Sequence, residues 1–128
     1  MLDRAHRFHG LNSLTYAYRR GQTVRGPQLA LKYALNQRRQ TYRVAVVVSR
    51  KVDKSAVVRN RIRRRIYAVV HELSEAVTLP YDLVFTVFSA QVADIEHKQL
   101  SRLVRDQLRR ARVIQSPSGQ HAIVNSKE

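Results

Sequence analysis

Arg59-Asn60-Arg61-Ile62-Arg63-Arg64-Arg65 reads RNRIRRR, and five of its seven residues are guanidinium cations. Through it runs an apolar series, Val58, Ile62, Ile66, Val69, Val70, Leu73 and Val77, spaced by four, four, three, one, three and four. At about 100° per residue these side chains form one stripe of an α-helix, which predicts a helix over about residues 55–76. Asn60 and Arg64 land on the far side of it, and Arg61 and Arg65 share a flank. As an isolated helix the segment is poorly made. Arg59/Arg63 and Arg61/Arg65 are like-charge i,i+4 pairs, each unfavourable by roughly 0.2–0.5 kcal/mol. The cations crowd the positive end of the helix dipole, and Glu72 and Glu75 lie near the negative end. Local rules broken in this way are expected where a function needs the residues. The stripe needs a core to face, and the arginines need an anion. A merely solvated face would normally mix signs.

Upstream, Arg43 to Ser49 contains Val44-Ala45-Val46-Val47-Val48, β-branched and apolar on both faces, which predicts a central strand. Ser49 to Lys54 leads from it into the helix. Gln28 to Asn36 alternates Leu29, Leu31, Tyr33 and Leu35 with Ala30, Lys32, Ala34 and Asn36, a strand pattern. Asn36 to Gln40 then reads as a polar hairpin loop, making these two strands antiparallel neighbours. Gln22 to Arg25 is a short extended piece before the Gly26-Pro27 turn. Asn12 or Ser13 can cap a first helix through about Arg20.

Downstream, Thr78-Leu79-Pro80 ends the long helix. Asp82 to Phe88 is a further strand, and Asp94 can cap a last helix through about Arg112, with Leu100, Leu103, Val104, Leu108 and Ala111 as its stripe. The order is helix, strands, helix, strand, helix. It predicts an α/β (α+β) fold, a two-layer sandwich whose sheet holds at least one parallel pair. Residues 1–114 are expected to form one domain, and 115–128 a disordered polar tail.

The chain has 128 residues and a net charge of +15, and between Asp3 and Glu72 the only acid is Asp53, against seventeen Lys and Arg. Nucleic acid is the commonest partner of such a field. No segment pairs the charge with bulky apolar residues as a membrane-surface helix would, and no apolar run is long enough to span a bilayer. There is no cysteine, so neither a disulfide framework nor a thiolate metal site is possible. The first residues lack a secretory signal's apolar core, and a cytoplasmic location is the expectation.

Catalytic chemistry is hard to find. The histidines are scattered, no glycine-rich loop follows a strand, and no serine sits in a nucleophile elbow. Neither a catalytic residue nor a metal site is expected, so another component must carry any reaction. The tyrosines lie mostly in the first half. Tyr18 and Tyr33 are candidates for stacking single-stranded bases, although filling the core is the commoner fate of such rings.

The run from Arg43 through Val44-Ala45-Val46-Val47-Val48 to Ser49-Arg50-Lys51, a short spacer, then Ala56-Val57-Val58-Arg59-Asn60-Arg61-Ile62-Arg63-Arg64 resembles the signature of the bacterial ribonuclease P protein subunit. The resemblance covers about residues 7–112, including Tyr81-Asp82-Leu83-Val84 and the final helix. It implies an α/β sandwich with a left-handed βαβ crossover, an exception to the usual hand. It further implies a small basic partner of a catalytic RNA. In that family the RNA, with bound Mg²⁺, removes the 5′ leader of precursor tRNA, and the protein alone is not catalytic. The implied partners are the RNA subunit and precursor tRNA, with no obligatory protein partner and no membrane.

By resemblance, Arg59, Asn60, Arg61 and Arg64 match the RNA-contacting helix, with Arg63 at an often basic position and Arg65 beside it. Arg50 and Lys51 match the basic pair at the strand's end. Tyr18 falls at an aromatic position of the leader-binding cleft, and Leu14 where the family commonly has phenylalanine, which removes a stacking surface. In the cleft's strand either Lys32 or Tyr33 can face the leader, because a one-residue slip exchanges the faces. Two readings from other classes compete. A ribosome-associated or general RNA-binding module fits the composition but not the strand-to-RNR spacing. A DNA-recognition helix would need a preceding helix and tight turn where this chain has a valine-rich strand.

Overall fold

The computed structural model describes His6, Arg19 and residues 21–115. The expected first helix, Arg19 apart, and the tail beyond Gln115 lie outside the described residues. Four strands, β1 (Gln22–Arg25), β2 (Leu29–Leu35), β3 (Arg43–Val47) and β4 (Tyr81–Val87), form one sheet in the order β1-β2-β4-β3. β1 pairs antiparallel with β2, β2 antiparallel with β4, and β3 parallel with β4. Helix α1 (Ala56–Glu72) makes the crossover from β3 to β4, and α2 (His97–Arg110) follows β4. The architecture is the mixed α+β sandwich that the order of elements predicts.

One side of the sheet meets both helices. Leu29, Leu31, Val44, Val46, Leu83 and Phe85 point to it and pack with Ile62, Ile66, Val69 and Val70 of α1 and with Leu100, Val104 and Leu108 of α2. The predicted stripe of α1 is buried from Ile62 through Leu73, and Val77 is buried beyond its end. Ser55 caps α1, its hydroxyl accepting from the Val58 N–H at 3.3 Å. The α-helix stops at Glu72, and Ser74–Ala76 tightens into a 3₁₀ turn. At the far edge, the His6 ring stacks on Tyr42 at 4.1 Å and its Nδ1–H donates to the Tyr42 carbonyl at 3.0 Å.

Three expectations need correction. β2 and β3 are not hairpin neighbours, because β4 lies between them and residues 36–42 cross over it. β3 is accordingly an edge strand and β4 an interior one, buried at Asp82 and Val84 on one face and at Leu83, Phe85 and Val87 on the other. What places β4 there is pairing invisible in the local pattern. Arg43 forks onto its register partner Asp82 at 2.9 and 3.0 Å, both side chains buried, and Asn36 Nδ2–H donates to the same carboxylate at 3.0 Å. The hairpin that does form joins β1 and β2 through Gly26-Pro27-Gln28. Thirdly, Asp94 does not cap the last helix. A 3₁₀ turn at Ala90–Ala93 intervenes, capped by Ser89, and α2 starts at His97 with no side-chain cap.

The end of α2 has a Schellman geometry. The Arg112 N–H donates to Arg109 O at 2.9 Å and the Val113 N–H to Leu108 O at 2.9 Å, with Arg112 at φ 62°. Gly26 is held against this helix. A Cβ there would lie 2.7 Å from Gln107 Nε2, which itself donates to Leu29 O at 2.6 Å.

Candidate nucleic-acid interface

Two guanidinium groups of the basic stretch serve the chain's own backbone. Arg59 donates from one nitrogen to the carbonyls of Asp53 and Lys54, both at 3.1 Å, closing the loop that enters α1. Arg65 donates to Val92 O at 2.7 Å and also to Ile95 O, tying α1 to the segment before α2. The sequence pattern singles out these positions as cationic. Their backbone partners are distant in the chain or lie in an irregular loop, so no local signal separates them from their neighbours.

The others face outward. Asn60, Arg61 and Arg64 are exposed, as are Arg50 and Lys51 in the turn after β3. Arg63 Nη1–H donates to Asn60 Oδ1 at 2.6 Å, three residues back on the same surface. Arg61 meets Asp94 at 3.4 Å with both side chains largely in water, a pair worth about 0–1 kcal/mol. Arg64 makes no hydrogen bond or ion pair among the described residues. Asp53 contributes little neutralisation: its carboxylate accepts from the Ser55 N–H at 2.8 Å and so shapes the loop. The result is an exposed cationic surface with one weak counter-ion among the described residues, suited to bidentate grip on phosphate.

The other side of the sheet carries a second feature. Lys32, Thr23, Arg25, Ala30, Thr86 and Phe88 line a groove of about 180 Å³, and Phe88 is 50% exposed. Lys32 and Tyr33 therefore do not share a face. Tyr33 lies on the helix-facing side, half-buried, its hydroxyl donating to Gln22 Oε1 at 2.9 Å and its ring edge-on to Tyr81 at 6.5 Å. Leu14 and Tyr18 lie outside the described residues. Phe88, expected within a strand covered on both sides, instead follows β4 directly and is half-exposed, because the apolar run does not show where coverage of the sheet ends.

Among the described residues no group of three or more His, Asp or Glu side chains comes together in a way that would hold a metal ion, and no helix is long and apolar enough to cross a membrane.

The family model for Ribonuclease P matches residues 2–112. The ribonuclease P protein component of Chloroflexus aurantiacus is 36% identical over 119 residues, spanning 93% of this chain and 87% of that protein. Its counterpart in Roseiflexus sp. is 37% identical over 120 residues, spanning 93% and 97%. The same fold occurs in the Staphylococcus aureus RNase P protein, with a TM-score of 0.76 at 22% identity over 87% of this chain and 99% of that one. The Thermotoga maritima RNase P protein superposes with a TM-score of 0.68 at 15% identity, covering 76% and 89%. With the strand-to-RNR motif on an exposed cationic helix and the family match spanning nearly all of the described residues, the chain belongs to the ribonuclease P protein family.

Proposed function

We propose that this protein holds a catalytic RNA through the outward cations of α1 and the β3–α1 turn, and that the RNA performs the hydrolysis. Family membership makes the chain a protein subunit of the tRNA-processing endoribonuclease, and proteins of this family work with an RNA subunit. The division of labour within the holoenzyme is our reading. The observation that carries it is the exposure of Arg61 and Arg64, whose one acidic partner among the described residues is Asp94. Such groups neutralise phosphates that would otherwise repel substrate and RNA subunit, at a small cost in helix stability.

The Mg²⁺, in this reading, is bound mainly by the RNA subunit. In this reading the groove on the outward side of the sheet receives the single-stranded 5′ leader of precursor tRNA. Lys32 and Arg25 there meet phosphates, and Phe88 supplies a stacking face. Assembly would take place in the cytoplasm.

The test is cleavage of a leader-bearing precursor tRNA at low Mg²⁺, with the protein and a ribonuclease P RNA transcript from the same genome added singly and together. Efficient 5′ cleavage only with both supports the reading. Cleavage by the protein alone, or no gain over the RNA alone, overturns it.

A further inference from the structure

The second helix carries a basic surface of its own. Lys98, Arg102, Arg105 and Arg109 fall at i, i+4, i+7 and i+11. At about 100° per residue they occupy about 60° of arc, on the side turned away from the buried Leu100, Val104 and Gln107. None of the four side chains makes a hydrogen bond or ion pair among the described residues, and Arg109 Nε is buried without a partner. Of the nearby acids, Asp106 meets Arg110 at 3.7 Å on the other flank, and Glu72, on the facing wall of the adjoining groove, meets His97 at 3.2 Å. The successive pairs 98/102, 102/105 and 105/109 are all like-charged, which weakens an isolated helix. Only Arg109, in the last turn, favours the dipole; Lys98, in the first, opposes it.

This stripe borders a groove of about 320 Å³ whose other wall includes Glu72 at the end of α1. Arg61, Arg65 and Glu72, spaced by four and seven, share one flank of α1. That flank faces the approach to α2, through the contacts of Arg61 with Asp94, Arg65 with Val92 and Ile95, and Glu72 with His97. The basic stripe of α2 and the Arg61-bearing flank of α1 therefore border one valley in the helical layer, in which Glu72 also lies. The groove bearing Lys32 and Phe88 opens on the opposite side of the sheet.

We infer that the outer stripe of α2 is a second docking surface for the phosphate backbone of the RNA subunit, continuous with the arginines of α1. The inference rests on the function proposed above. Charge complementarity selects a polyanion, guanidinium forks select phosphate, and continuity with the α1 surface selects the RNA subunit over precursor tRNA.

The test uses the full-length protein with R102A/R105A, and R102Q/R105Q as a second variant should alanine disturb folding. Each is checked for an unchanged urea midpoint. Affinity for ribonuclease P RNA from the same genome is measured across a salt series. Loss of two phosphate contacts should weaken binding and flatten the slope of log K against log salt by about 1.4–1.8. Binding of precursor tRNA by the protein alone should not change, and R102K/R105K should recover most of the RNA-subunit affinity. Unchanged affinity and slope for the RNA subunit, with R61A/R64A lowering both, would overturn the second surface and leave the proposed function standing. If R61A/R64A is also without effect, the proposed function falls with it. A loss confined to precursor tRNA would overturn the assignment of the occupant.

Discussion

At the start of β3, Arg43 is 6% exposed and forks onto Asp82 through two hydrogen bonds; midway along α1, Arg64 stands in solvent with no partner among the described residues. The two carry identical chemistry. One belongs to a buried pair that fastens two parallel strands, and the other leaves its charge available to another molecule. The difference is set by burial and by the nearest acid, since desolvation makes an unpaired buried charge costly while water tolerates an unpaired exposed one.

Breaking the buried side should have the largest effect. Arg43→Ala leaves the Asp82 carboxylate buried with one fork removed, and unfolding free energy should fall by about 3–5 kcal/mol, read by urea denaturation. A double replacement, Arg43→Met with Asp82→Leu, should recover much of this loss, because it removes both desolvation costs. On the same sheet, Gly26→Ala drives a methyl group against Gln107 Nε2 and Leu29 O, and should cost about 1–3 kcal/mol in the same assay. Neither change touches the exposed cations, so the salt slope of RNA binding should hold wherever the variants remain folded.

The outward groove sharpens the contrast from the other direction. Phe88→Ala should leave stability nearly intact, because half the residue is already exposed. It should reduce the preference for precursor over mature tRNA by about 1–3 kcal/mol, the worth of one stacked base. Equal preference in the two proteins would show that the ring contacts no leader base. The smallest effect on folding belongs to the exposed arginines. R61A/R64A should change stability by no more than about 0.5 kcal/mol, in either direction, while flattening the salt slope of RNA-subunit binding by about 1.4–1.8. A large loss of stability would place these two with Arg43 as structural cations.

The apolar stripe of α1 was readable because its periodicity is a property of consecutive residues, and the structure buries it from Ile62 to Leu73. The strands at Leu29–Leu35, Arg43–Val47 and Tyr81–Val87 were readable for the same reason. Their order was not. The seven residues between β2 and β3 look like a hairpin loop, yet Asp82, thirty-nine positions beyond Arg43, draws β4 between the two strands. Nor did spacing alone tell Lys32 from Tyr33, whose faces depend on which side of the sheet the helices cover.

Alone, the sequence determined that this is a basic α/β chain with a cationic helix following a valine-rich strand, because helical period, strand alternation and charge are all written locally. The tertiary structure decided which arginines bond backbone carbonyls and which stand exposed without such a contact. It also brought the basic stripe of α2 beside the flank of α1. Those outcomes depend on contacts between residues far apart in the chain, as for Arg65, or on the path of an irregular loop, as for Arg59, and no periodic pattern of neighbouring residues contains them.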